Sequence, residues 1–237
     1  MRFECASRTH VGLKRKINED SILVETARGL WAVADGMGGH DAGEVASAMV
    51  VEALAKLPAE ADLDRLTARA GETLSATNEA LIDLARSNGS DRSIATTVVG
   101  LAIAADDFRY FWCGDSRGYR LRDGMISRVT RDHSLVQQLV DSGMLTPEEA
   151  ETHENSSVIT RAVGVSESFS TDVAAGNTSP GDIFLLASDG LTRVVPDAEI
   201  AAELERDSLE EAADALLDLV LARGAPDNVS IIIVRIA

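Results

Sequence analysis

The stretch Trp31-Ala32-Val33-Ala34-Asp35-Gly36-Met37-Gly38-Gly39-His40 decides how this chain is read. Its first half suits a buried strand, with Trp31 and Val33 flanked by Leu30 and Ala34. Its second half reads as a glycine-rich turn. Gly36, Gly38 and Gly39 are expected to carry the backbone through φ > 0 and bring a carbonyl close to a ligand. A carboxylate on the last strand residue before such a turn is well placed to hold a hard cation. Asp35 can give side-chain oxygen and Gly36 backbone oxygen, the donors Mg²⁺ and Mn²⁺ prefer. An Asp-Gly pair alone would be an ordinary capped turn. Three glycines within four positions, followed by His40, ask for more.

On the N-terminal side, residues 2–8 and 21–24 read as strands, joined by the basic-to-acidic run Arg15-Lys16-Ile17-Asn18-Glu19-Asp20. On the C-terminal side, Asp41 opens a helix whose apolar set Ala42, Val45, Ala46, Met49, Val50, Ala53, Leu54 and Leu57 keeps helical spacing until Pro58. A second helix carries Leu63, Leu66, Ala70, Leu74, Thr77, Leu81 and Leu84 on one face and stops near Asn88-Gly89. One-sided stripes of this kind lie on a flat apolar surface. Residues 94–104, 108–113, 119–122 and 125–129 form an antiparallel meander, with Asp106-Asp107 as one turn and Asp123-Gly124 as a two-residue hairpin. Residues 131–170 are polar, strandless and helical in short pieces, including a capping box at Thr146-Pro147-Glu148-Glu149. That region reads as a flap over a site. Strands follow at 183–187 and 229–236, with helices opening at Pro196-Asp197 and Ser208 between them and Gly224 ending the second. No linker divides the chain. One domain over residues 1–237 is expected: an α/β (α+β) four-layer αββα sandwich, two antiparallel sheets flanked by helix pairs.

Composition narrows the function. The chain has 237 residues, 45% of them hydrophobic, enough for a sizeable core. Its formal net charge of −17 argues against nucleic acid or an anionic membrane as the main partner. An anionic substrate stays open, because a bound metal inverts the local field. Cys5 and Cys113 make neither a C-x-x-C nor a zinc spacing, so a reducing cytoplasmic setting is expected. The start, Met1-Arg2-Phe3-Glu4, lacks the apolar core of a signal peptide, and no apolar run reaches membrane-spanning length.

Asp35 has company. Asp189 and Asp227 also sit at strand edges beside turns, and Asp20 and Asp115 share that character. Five carboxylates at the ends of core strands form a cluster if the strands converge, and such a cluster repels itself unless a cation binds.

With these motifs in view, the chain resembles the metal-dependent protein phosphatases of type 2C, in particular the small single-domain bacterial kind. Five motifs match in order: Arg15-Lys16-Ile17-Asn18-Glu19-Asp20, Asp35-Gly36-Met37-Gly38-Gly39-His40, Gly114-Asp115-Ser116-Arg117-Gly118-Tyr119, Ser188-Asp189-Gly190-Leu191 and Pro226-Asp227-Asn228-Val229-Ser230. The resemblance implies two tight sites and a third, weaker one for Mn²⁺ or Mg²⁺. Asp35 would bridge two metals, the Gly36 carbonyl would bind one, and Asp189 and Asp227 would complete their protein ligands. Glu19 and Asp20 would hold metal-bound waters. Asp115 with Asp189 would take the third metal, and Arg15 would grip the substrate phosphate with its planar fork. A hydroxide bridging two metals would attack phosphoserine or phosphothreonine directly, without a phosphoenzyme. Phosphoprotein substrates and a cognate serine/threonine kinase follow by analogy, as does a monomeric state.

Two departures stand out. Some eukaryotic relatives carry a histidine directly after the Asp-Gly; here Met37 stands there and cannot donate a proton, leaving His40 or water on the third metal as the acid. The glycine the family carries before paired threonines is here Ala95, ahead of Thr96-Thr97, which read as structural. Two rival readings exist. Gly114-Asp115-Ser116-Arg117-Gly118 also fits the nucleophile elbow of serine hydrolases, but that needs a helix after Ser116, where a hairpin strand is expected. A pseudo-phosphatase that only docks phosphoproteins would have little reason to retain every metal-ligand residue.

Overall fold

A computed structural model describes residues 2–38, 42–87 and 93–237. Gly39, His40 and Asp41, and the helix stop expected at Asn88-Gly89, lie outside the described residues. Eleven strands occur among those described: β1 (Phe3–His10), β2 (Asp20–Glu25), β3 (Leu30–Met37), β4 (Ala95–Thr96), β5 (Val98–Ala104), β6 (Asp107–Cys113), β7 (Arg117–Arg122), β8 (Met125–Arg128), β9 (Asp172–Asn177), β10 (Ile183–Ala187) and β11 (Val229–Ile236). The helices are α1 (Ala42–Ala55), α2 (Leu63–Ser87), α3 (Leu135–Asp141), α4 (Pro147–Glu151), α5 (Asp189–Thr192), α6 (Asp197–Leu204) and α7 (Leu209–Ala222).

Two antiparallel sheets form. One runs β1-β11-β10-β7-β8; the other runs β2-β3-β5-β6-β9, with β4 paired to β3. Side-chain alternation explains the layers. Trp31 and Val33 join Val99, Tyr110, Phe184 and Ile232 in a core between the sheets. Leu30, Ala32 and Ala34 point the other way, under α1 and α2. On the far sheet, Leu185, Ile231 and Ile233 pack beneath α6 and α7 with Ile200, Leu204 and Leu216. The expected αββα sandwich is the architecture found. The hairpin at Asp123-Gly124 has φ of 51° and 73°, as a two-residue turn of that type requires. Among the described residues no helix is long and apolar enough to cross a membrane.

Three expectations need correction, and one strand was not anticipated. Gly36 and Gly38 do not adopt positive φ. Strand β3 runs straight through Gly36 to Met37, which pairs with Ala95. Gly36 is needed for space instead: a Cβ there would run into the carbonyl oxygens of Gly43 and Glu19. The strand expected over 94–104 breaks at Thr97, whose N–H bonds the Asp35 carbonyl. Strand β9 has no counterpart in the sequence reading; it is a mostly exposed edge strand held by pairing with β6. Val45 is exposed, because α1 turns Gly43, Ala46, Ser47, Val50 and Leu54 inward, and Ser47 Oγ donates to Glu19 O at 2.6 Å.

Candidate metal and phosphate site

The same alternation that fills the core builds the site. Asp35 follows Trp31 and Val33 on the inter-sheet face of β3, where the apolar core ends. Asp20, first residue of β2, is its direct cross-strand partner. From the other sheet, Ser188 and Ser230 stand past the ends of the matching inward rows on β10 and β11. Ser188 Oγ donates to Asp20 Oδ2 at 2.9 Å and accepts from Ser230 N at 2.9 Å. Hydroxyls thus tie the two sheets at their open edge. Asp189 opens α5, and Asp227 lies in the turn entering β11. Asp115 sits between β6 and β7, nearly buried.

These acids feel one another. Asp189 is the strongest of the charges acting on Asp35. Burial, then the charges of Asp189, Asp20, Asp115 and Asp227, push the Asp35 carboxyl well above the usual range. Burial also pushes Asp20 and Asp115 up to about 7, with Asp189 adding to both, and raises Asp189 itself. Asp20 Oδ1 and Asp115 Oδ1 are buried without a hydrogen-bond partner. A buried carboxylate oxygen in that condition is destabilising unless something cationic reaches it.

Basic side chains hold two of the outer positions. Arg15 reaches over from the β1–β2 loop and puts Nη2 2.7 Å from Asp227 Oδ2. Arg193, one helical turn after Asp189, lies 2.9 Å from Asp189 Oδ2 through Nε and 3.2 Å from Asp115 Oδ2 through Nη2. Among the described residues no group of three or more His, Cys, Asp and Glu is drawn into a ready metal cage. The donor chemistry nevertheless fits a hard divalent cation: side-chain carboxylate oxygens, two of them buried and partnerless, at one open edge. Glu19 is anchored nearby, accepting from Gly43 N at 3.2 Å while its own carbonyl accepts from Gly36 N at 3.1 Å. The structure therefore gathers Arg15, Glu19, Asp20, Asp35, Gly36, Asp115, Asp189 and Asp227, whereas His40 is not among the described residues.

Several supporting residues escaped the sequence reading. Asn228 pins the β1–β2 loop, accepting from Glu19 N at 2.8 Å and donating to Val11 O and Ile17 O. Thr97, read only as structural, accepts from Asp35 N at 3.1 Å and shares a 2.6 Å bond with Ser116 Oγ. Asn228 and Ser230 lay within a quoted motif, so the signal was present but carried no assigned role. Arg193 offered no signal beyond its i+4 distance from Asp189. Ser116 is 1% exposed and leads into strand β7, so the exposed strand-to-helix nucleophile of a serine hydrolase is not formed.

A cavity of about 600 Å³ adjoins the acids. Asp115, Asp189 and Arg193 line it together with Val136, Val140 and Pro147 of the 131–170 region. Within that region Thr146 and Glu149 form the full reciprocal capping box of α4.

The comparisons agree with this geometry. A family model described as Protein phosphatase 2C matches residues 9–228. The serine/threonine protein phosphatase PstP of Mycobacterium tuberculosis is 39% identical over 228 residues, which is 96% of this chain; the chain spans 44% of that protein's length. A solved structure of PppA, described as a key regulatory component of T6SS in Pseudomonas aeruginosa, superposes with a TM-score of 0.91 at 39% identity, covering 99% of this chain and 98% of that one. The catalytic domain of PstP in complex with two manganese ions superposes at 0.86 with 36% identity, covering 98% and 97%. A match across most of the chain, on a fold whose open edge collects these carboxylates, establishes that the chain belongs to the protein phosphatase 2C family.

Proposed function

We propose that this protein is a serine/threonine protein phosphatase that hydrolyses phosphoserine and phosphothreonine with Mn²⁺ or Mg²⁺. The observation that carries this reading is the convergence of Asp20, Asp35, Asp115 and Asp189, the first and third buried and the other two partly so, all raised in pKa, at one open edge between the sheets. Two cations would be held by Asp35, Asp189, Asp227 and the Gly36 carbonyl, with Glu19 and Asp20 orienting solvent around them. Asp115 and Asp189 would serve a third, weaker site. When bound, such cations supply Lewis acidity toward phosphoryl oxygens and make water a competent nucleophile near neutral pH.

The chain's own groups do the rest. Arg15 is half-exposed, and among the described residues its side chain hydrogen-bonds Asp227, so its remaining donors are available to phosphate oxygens. Asp227 thereby sets where the phosphate sits relative to the acids. Asn228 fixes the loop that carries Arg15, which turns a flexible side chain into a positioned one. Neither cysteine acts as a nucleophile: Cys113 is buried, with its thiol pushed up to about 12 by burial. His40 remains a candidate for protonating the leaving oxygen.

The 131–170 region acts as a flap. Support comes from the cavity it shares with Asp115 and Asp189, which gives room beside the phosphate for the flanking residues of a protein substrate. The protein works as a cytoplasmic monomer opposite a serine/threonine kinase. Similarity to PppA makes secretion machinery the first place to look for targets, and phosphoproteomics of a strain lacking the protein would name them. Turnover of a phosphothreonine peptide with Mn²⁺, abolished by EDTA, tests the reading. Binding of phosphopeptide without turnover would replace it with the docking-only alternative.

A further inference from the structure

Arg193 stands where its charge has a consequence. Helix α5 is one turn long and begins at Asp189, so residue 193 falls directly beneath it. From there the guanidinium makes three contacts at once: Nε to Asp189 Oδ2 at 2.9 Å, Nη2 to Asp115 Oδ2 at 3.2 Å, and Nη2 to the Ser156 carbonyl at 3.2 Å. Ser156 lies just beyond α4, inside the 131–170 region. Asp115 keeps one oxygen, Oδ1, buried and partnerless, so the arginine satisfies this acid only in part.

We propose that Arg193 is a resident counter-ion for the Asp115–Asp189 pair, in competition with a divalent cation, and that its release also frees Ser156. This rests on the metal reading proposed above for the two acids. A guanidinium and a metal ion cannot both take Asp115 Oδ2 and the outer oxygen of Asp189. Arg193 yields them when a cation binds there, and its contact to Ser156 O, made by the same Nη2, is lost with them. Affinity at the weak site and closure of the 131–170 region then belong to one equilibrium, and each must bias the other by the same factor. The device also neutralises the pair when the metal is absent, when two nearly buried carboxylates would otherwise face each other unscreened.

The test is calorimetric titration of Mn²⁺ into the full chain, paired with hydrogen exchange over residues 150–160. Arg193→Ala should tighten the weakest binding step at least about tenfold, and Arg193→Lys, which keeps charge but loses the fork, should fall between it and wild type. In wild type, exchange over 150–160 should rise as the weak step fills; in Arg193→Ala it should be fast before any metal is added. A purely structural arginine would loosen the loop yet leave the weak step where it was, and that result overturns the proposal. So does tightening that survives in an Asp115→Asn background, because it would come from another site. If the two tight steps are absent from wild type itself, the metal reading falls and takes this proposal with it.

Discussion

Asp20→Asn should make the metal-free protein more stable, and the gain should depend on pH. The Asp20 carboxyl is 8% exposed and is raised from 3.8 to about 7 by burial and by the charges of Asp189 and Asp227. Below about pH 4 the group is protonated in both folded and unfolded chains and contributes nothing. Between pH 4 and 7 the unfolded chain loses this proton while the folded chain keeps it, so stability falls as pH rises. Above pH 7 the folded chain carries the full penalty, about 4 kcal/mol for a shift of this size. Protonating a neighbouring acid relieves part of the same repulsion, so the isosteric amide should recover roughly half, about 2 kcal/mol. For a domain of this length that is about 4 to 8 °C in melting temperature. The amide oxygen can still accept from Ser188 Oγ, so the inter-sheet tie survives. Thermal melts in EDTA at pH 5 and pH 8 read both terms. The variant's advantage over wild type should be smaller at pH 5, where only part of the penalty has developed, and larger at pH 8. With Mn²⁺ present the order should reverse, because wild type gains by binding and the variant gains less. An Asp20→Asn protein less stable than wild type in EDTA at pH 8 would refute the argument that repulsion among these acids is a net burden on the fold.

Other substitutions probe the site from different directions. Asp35→Asn keeps the shape of the central acid but removes its charge, and should lower phosphopeptide turnover with Mn²⁺ by at least about a hundredfold; full activity there, or in EDTA, would remove the metal reading. Shortening the tip of the 131–170 region between residues 146 and 155 should change turnover of phosphoproteins and peptides more than that of p-nitrophenyl phosphate, and equal losses on all three would mean the segment only supports the core. Gly190→Ala would push a Cβ into the Asn228 carbonyl and should lose about 1 to 3 kcal/mol in urea unfolding without altering the charge of the site. Cys113, buried and with its thiol near 12, should resist iodoacetamide at pH 8 until the protein is unfolded; rapid labelling of the native chain would show that the α2 side of the sheet opens readily.

Residues whose meaning is local were legible in the sequence. Strand β3 announced itself by an apolar run, β7 and β8 by the hairpin at Asp123-Gly124, and α2 by a stripe seven residues deep, because each signal depends only on near neighbours. The acids were legible because each follows or precedes a core strand beside glycine or a turn. What stayed hidden is set by distant partners. Gly36 is glycine because two carbonyls from other segments press on it, and nothing in its own stretch separates that from a positive-φ turn. Arg193 meets Asp115 across 78 residues, and Asn228 meets Glu19 across 209. Strand β9 carries no apolar run, since only its pairing with β6 makes it a strand.

The position of the site follows from where the packing stops. On β3, Trp31 and Val33 fill the space between the sheets, and the next inward position holds Asp35. On β10 and β11 the inward rows of Phe184, Leu186, Ile232 and Val234 give way to Ser188 and Ser230 in the same manner. Inward of that edge an ionised acid could not be tolerated. Beyond it, water would screen the charges and return them to ordinary values. At the edge the acids are buried enough to repel strongly and open enough for a cation to enter. The alternation that builds the apolar core therefore also fixes the affinity of its rim, and a substitution that relieves the rim without metal, as Asp20→Asn should, removes part of what draws a cation there.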